Sequence, residues 1–112
     1  MDNGAGWTVR QEYAEGILDI PFVTFEFDPA KSAANKVKHG IDFVEAQALW
    51  SDLDRLELPA RTIDEPRFLI VGRIRQSVWT AAVTYRHEET IRIISVRRSR
   101  DNERALYFQT SA

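Results

Sequence analysis

Apolar and polar residues alternate along "VTFEF", which predicts a strand carrying Val23, Phe25 and Phe27 on one face. The pattern then changes period. Asp28-Pro29 combines a helix N-cap with a proline at the first helical position, and Ala30, Ala33, Ala34 and Val37 follow the spacing of one helical face. These four are the expected core side of that helix. Its other side carries Lys31, Asn35 and Lys38, with His39 at the end and Gly40 as the stop signal. Asp42 and Glu45 form an Asp-x-x-Glu variant of the capping box, opening a second helix with Ala46, Leu49, Trp50 and Leu53 as its stripe.

An acidic connector around "LPARTIDEP" separates these helices from three expected strands, "RFLIVGRI", "VWTAAVTY" and "TIRIISVRR". The short joints "RQS" and "RHEE" suggest hairpins and hence an antiparallel meander. Ser99 or Asp101 is placed to cap a last helix through "NERALYFQ". The order β-α-α-β-β-β-α, with helices set against an antiparallel sheet, is α+β. Residues 1–22 read as a weakly patterned leader, 23–108 as one domain and 109–112 as a tail. Within the leader, "WTVRQEYAEGILDI" is compatible with a short amphipathic helix or with nothing stable, and Gly16 opposes a long one.

Composition narrows the class. A chain of 112 residues with 44% hydrophobic and 11% aromatic residues has enough apolar material for one core, and too much for a disordered protein. No apolar run spans a bilayer, and no basic-then-apolar secretory signal opens the chain, so a soluble cytoplasmic protein without membrane attachment is expected. Without cysteine there are no disulfides, thiol nucleophiles or thiolate metal sites. The only two histidines, His39 and His87, are far apart, and "HEET" at His87 lacks the second histidine of a zinc-protease motif, so neither metal nor cofactor is expected.

Net charge is −2, against non-specific coating of nucleic acid, yet the charge is uneven. Before Pro29, Asp2, Glu12, Glu15, Asp19, Glu26 and Asp28 face only Arg10. The segment "RIISVRRSRDNERALYF" gathers Arg92, Arg97, Arg98, Arg100 and Arg104, with Tyr107 just beyond. Solvated, ion-paired surface residues would give the same composition. Strict strand alternation instead turns Arg92 and Arg98 to one side and Arg97 to the other, while Arg100, Arg104 and Tyr107 share a helical stripe at i, i+4, i+7. Such forks beside a phenol suit a polyanion whose phosphates are held and whose bases stack. Lys31, Asn35, Lys38 and His39 offer a second cationic surface with one group that titrates near neutral pH.

From about Phe25 to Phe108 the chain resembles the BrnT family, RelE-like ribonuclease toxins of bacterial type II toxin–antitoxin systems. "FEFDPAKSAANKVKHGIDFVEA", "EPRFLIVG" and "IRIISVRRSRDNERALY" carry the resemblance in order and spacing. Val96, Ser99, Asp42 and the inserted Pro66 depart from the usual pattern. The resemblance implies a RelE-like sheet and an endoribonuclease that cleaves messenger RNA without a metal and slows translation until neutralised. It also implies a BrnA-like antitoxin with a ribbon-helix-helix domain, DNA contact only through that partner, and a two-fold hetero-oligomer.

On this reading Lys38, His39, Arg97 and Arg98 are catalytic candidates, and Lys31, Arg67, Arg92, Arg100, Arg104 and Tyr107 contact substrate. Arg97 and Arg98, as strand-end guanidiniums with little to bury, are expected to matter more to rate than to fold. A nucleic-acid-binding module without chemistry, or a domain that docks an acidic partner, would present the same basic surface.

Overall fold

In the computed structural model, which describes residues 8–12, 23–62, 65–87 and 89–110, a six-stranded sheet in the order β1-β2-β6-β5-β4-β3 carries a helix on each face. The strands are β1 (Thr8–Glu12), β2 (Val23–Phe27), β3 (Leu56–Ala60), β4 (Arg67–Ile74), β5 (Ser77–Arg86) and β6 (Thr90–Arg98). Helix α1 (Pro29–His39) and a 3-10 helix (Glu45–Ser51) follow β2, and α2 (Asp101–Thr110) follows β6.

The α+β class and the β4-β5-β6 meander stand as expected from the alternating pattern. Three features differ. The sheet is mixed rather than wholly antiparallel, because β2 lies parallel to β6 through Thr24↔Thr90 and Glu26↔Arg92. The expected connector contains β3, antiparallel to β4 despite Pro59, an edge position where a missing donor costs little. The leader contains β1, paired with β2 from Thr8↔Phe27 to Glu12↔Val23, where the sequence left a helix open. The rest of that leader segment, and the tail after Thr110, lie outside the described residues.

Helix α1 is capped as its sequence signals. Asp28 accepts from the Ala30 N–H at 2.9 Å, and Gly40 takes the left-handed φ of 84° that ends the helix, donating its N–H to Lys36. Its orientation is the reverse of the expected one. Ala30, Ala33 and Ala34 are exposed and Val37 is 89% exposed, while Ser32 and Asn35 are buried.

The cause lies in the backbone around it. β2 pairs with β6 only as far as Arg92, so the β6 edge beyond it has peptide groups without a strand partner. Asn35 supplies them: its Nδ2 donates to Val96 O at 2.9 Å and to Ile41 O at 2.8 Å, and its Oδ1 accepts from Val96 N at 3.2 Å. Ser32 Oγ likewise accepts from Phe43 N–H at 2.9 Å. Buried peptide groups without partners cost more than four small apolar side chains gain by burial, so the polar face turns inward.

The capping box forms, with Glu45 N–H bonded to Asp42 Oδ1 at 2.7 Å and Asp42 N–H to Glu45 Oε1 at 2.9 Å. The turn that follows is 3-10 rather than α. Ala46, Leu49 and Trp50 are buried, but Leu53 is 62% exposed. Trp50 meets Phe25 edge-on at 5.0 Å, and Phe43 meets Phe27 at 5.8 Å, closing the main core against Ile70, Val83, Ile93 and Val96. Gly72 lets the 3-10 helix approach β4: a Cβ there would stand 3.0 Å from Leu49 Cδ2. On the opposite face α2 seals a smaller core of Val71, Val78 and Tyr107.

Candidate nucleic-acid interface

Strand β6 carries one residue more than its partner requires. Val83 faces Ile93 and Ala82 faces Ser95, which leaves Ile94 as a bulge. Each inserted residue inverts the alternation beyond it. Arg92 and Arg97 therefore lie on the α2 face, and Arg98 alone turns with Val96 to the α1 face, correcting the expectation that Arg92 and Arg98 share a side.

On the α2 face the arginines are already engaged. Arg92 Nε lies 3.4 Å from Glu26 Oε1, and Arg86 Nη1 lies 3.2 Å from Glu26 Oε2. Arg67, exposed on β4, sits in the same sheet face. Arg97 grips Glu103 of α2 with both arms, Nη1 to Oε1 at 2.8 Å and Nη2 to Oε2 at 2.9 Å. Glu103, only 4% exposed, also accepts from Thr80 Oγ1 at 2.9 Å and from the Arg100 N–H at 2.8 Å. The Arg97 fork, above all, holds its carboxyl down at about 2, with the Arg100 and Thr80 donors adding to it against the opposing effect of burial. Arg97 is thus a clamp between β6 and α2. Ser99, expected as a cap, instead bonds Thr80 at 2.7 Å, and the capping contact at this helix start comes from Glu103.

Tyr107 does not share a stripe with Arg100 and Arg104. It points inward with Glu103, 2% exposed, while both arginines remain exposed and Arg104 lies 5.6 Å from the Phe108 ring. The Tyr107 hydroxyl donates to Asp52 Oδ2 at 2.6 Å; burial and this carboxylate push the phenol up to about 12. Asp52 also accepts from the Arg73 N–H at 2.7 Å and the Asp54 N–H at 2.9 Å. Burial alone would raise its carboxyl, but the hydrogen bonds from Tyr107, Arg73 and Asp54 outweigh that and hold it below the usual range. One carboxylate thereby ties the end of the 3-10 helix to α2 and to the end of β4 that runs on past its pairing with β3.

The α1 face holds the remaining candidates. Asn35 fastens the last turns of α1 to β6 at Val96, and His39 follows Asn35 at i+4 while Arg98 follows Val96 at i+2. Gly40, next to His39, and Trp79 line one cleft of about 870 Å³, shared with Ile41, Glu45, Asp52, Arg73, Arg75 and Tyr107. The Arg98 guanidinium lies 5.3 Å over the Trp79 ring at this cleft's side. Lys31 and Lys38 are exposed on α1, and His39 is half-buried.

Arg98 stands over Trp79 on the α1 face, while Lys38 and His39 end α1, the helix that Asn35 fastens to β6 two residues before Arg98. Arg67, Arg92 and Arg97 lie on the other face of the sheet. Trp79, Arg73, Arg75 and Asp52 escaped the sequence reading, because a tryptophan in a strand and a turn arginine carry no motif. The signal for Trp79 was its register opposite Arg98, which the bulge concealed.

The architecture is that of a small α+β ribonuclease-toxin fold. It matches the crystal structure of the Brucella abortus ribonuclease toxin BrnT with a TM-score of 0.54 and 20% identity, over 67% of this chain and 94% of that one. No curated protein sequence matches significantly. Residues 27–103 match the family "Ribonuclease toxin, BrnT, of type II toxin-antitoxin system", and the chain belongs to this family. Membership in a type II toxin–antitoxin family implies an antitoxin partner. Among the described residues no helix is long and apolar enough to cross a membrane.

Proposed function

We propose that this chain is an endoribonuclease that cleaves messenger RNA in the cytoplasm without a metal, and that its RNA-facing surface is the α1 side of the β6 end. The observation that supports this most is that Arg98, unlike Arg92 and Arg97, emerges on that side, over the ring of Trp79, which with Gly40 lines the cleft. Cleavage in this scheme joins the ribose 2′-oxygen to phosphorus and breaks the bond from phosphorus to the 5′-oxygen. A base takes the 2′-hydroxyl proton, an acid returns one to the leaving oxygen, and cations stabilise the added charge of the phosphorane. Arg98 and Lys38 supply the cations, and His39 moves the proton. Arg100, Arg104 and Lys31 guide flanking phosphates. Arg97 acts through position, by fixing the β6–α2 joint from which Arg98 projects.

A BrnA-like antitoxin with a ribbon-helix-helix domain silences the surface by occupying it with carboxylates. It carries the DNA contacts itself, in a two-fold hetero-oligomer. The test is expression of the chain with and without the neighbouring reading frame, scored for growth and RNA integrity, followed by cleavage by the purified chain in chelator. Arrest and RNA loss with the chain alone, rescue by the partner, and cleavage that survives chelation are the expected results. Unimpaired growth at verified soluble expression, with intact RNA in the purified reaction, would leave a binding module without chemistry.

A further inference from the structure

Charge divides the candidate surface into two zones. Within the cleft the signs nearly cancel, Arg73 and Arg75 standing against Glu45, Asp52 and Asp54. Glu45 is moreover taken by Lys36 at 2.8 Å, and Asp52 by its three donors. A row of phosphates gains little from such walls. A flat uncharged group gains more, because Trp79, Ile41 and Ile74 give the cleft apolar and aromatic surface. Outside, exposed cations flank it: Lys38 two residues before Gly40, and Arg98 and Arg100 leading into α2, with Asp42 and Asp101 beside them. The cleft's size also lies within the range of about 300–1,000 Å³ of small-molecule sites.

We propose that this cleft takes one unpaired nucleobase of the RNA, stacked against the Trp79–Arg98 pair, while the flanking phosphates run over the cations outside. A guanidinium already lying over an indole extends a stacking surface for a base and turns its edge donors toward the phosphates. The strand must therefore be single, or open at that nucleotide. The inference rests on the RNA reading above and adds the form of the substrate.

The experiment measures binding of a 2′-O-methyl oligonucleotide, which the scheme above does not allow to be cleaved, to the full chain. The single strand should bind about ten-fold or more tighter than the same strand annealed to its complement, and an abasic residue should cost about as much at one position only. Trp79→Phe should keep most of the affinity. Trp79→Leu removes the stack while keeping an apolar side chain, and Ala48→Trp fills the cleft from an exposed lining position. Both should lose about ten-fold, Ala48→Trp with an unchanged melting curve and Trp79→Leu, which gives up some packing against the core, while still folded at the assay temperature. Equal binding of single strand and duplex, or wild-type affinity in folded Ala48→Trp, overturns the base pocket and leaves the RNA reading standing. Ala48→Trp that binds RNA normally but no longer captures the antitoxin assigns the cleft to that partner instead. Absence of any RNA binding by the wild-type chain overturns both.

Discussion

Arg97→Ala is the substitution on which the structure departs furthest from the sequence. A strand-end arginine suggests a change in rate and little else, but here the change strands Glu103, a carboxylate 4% exposed and bonded by both arms of the fork. The displacement of Glu103 from 4.5 to about 2, of which the Arg97 fork is the largest cause and the Arg100 and Thr80 donors the rest, corresponds to about 3.5 kcal/mol, each unit being worth about 1.4 kcal/mol. Removing one partner of a buried pair costs about 3–5 kcal/mol by analogy with measured cases. Both routes allow a loss of about 3 kcal/mol at pH 7, or about 13 °C in melting temperature for a domain of this length.

The sign of the pH dependence follows from the depressed folded value. This stabilisation is fully present above the unfolded value of 4.5 and disappears as pH falls through about 2. Wild type should therefore lose its advantage over Arg97→Ala between these limits. Adding Glu103→Gln to Arg97→Ala should recover about 1–2 kcal/mol by removing the stranded charge. Urea melts of the three proteins from pH 7 to pH 2.5 measure all of this. An Arg97→Ala protein within about 1 kcal/mol of wild type at pH 7, the range of an exposed pair, would refute the clamp.

The other arginine of the pair should behave oppositely. Arg98→Ala is expected to melt near wild type and lose about 10²–10³ in RNA cleavage, with Arg98→Lys recovering only part because the fork is gone; full activity in a folded Arg98→Ala would remove it from the site. Tyr107→Phe leaves Asp52 short of one donor and should cost about 1–3 kcal/mol in equilibrium unfolding. On α1, Asn35→Ala should cost at least as much through its unsatisfied contacts with Val96 and Ile41, whereas Val37→Ser should stay within about 0.5 kcal/mol. Chemical denaturation of both separates the observed inward face of the helix from the alanine face.

Much of this protein was local and therefore legible in the chain. Asp28-Pro29 and Gly40 bound α1, the Asp42–Glu45 box opens the 3-10 helix, and period-two patterning marks β2, β4, β5 and β6, because caps, turns and alternation act between residues a few positions apart. The family signature was legible for the same reason, carried by runs such as "KVKHG" and "SVRRSR". What each face looks toward was not local. Whether α1 buries alanines or Asn35 depends on β2 ceasing to pair with β6 at Arg92, which leaves Val96, sixty-one residues from Asn35, for that side chain to bond. Which arginine reaches the candidate surface depends on one bulged residue, Ile94, since a single insertion exchanges every side chain beyond it between faces. Tertiary pairing thus decided that Arg97 is a clamp and Arg98 a free-facing cation, two neighbours identical in sequence terms and separated only by the side of the sheet on which they fall.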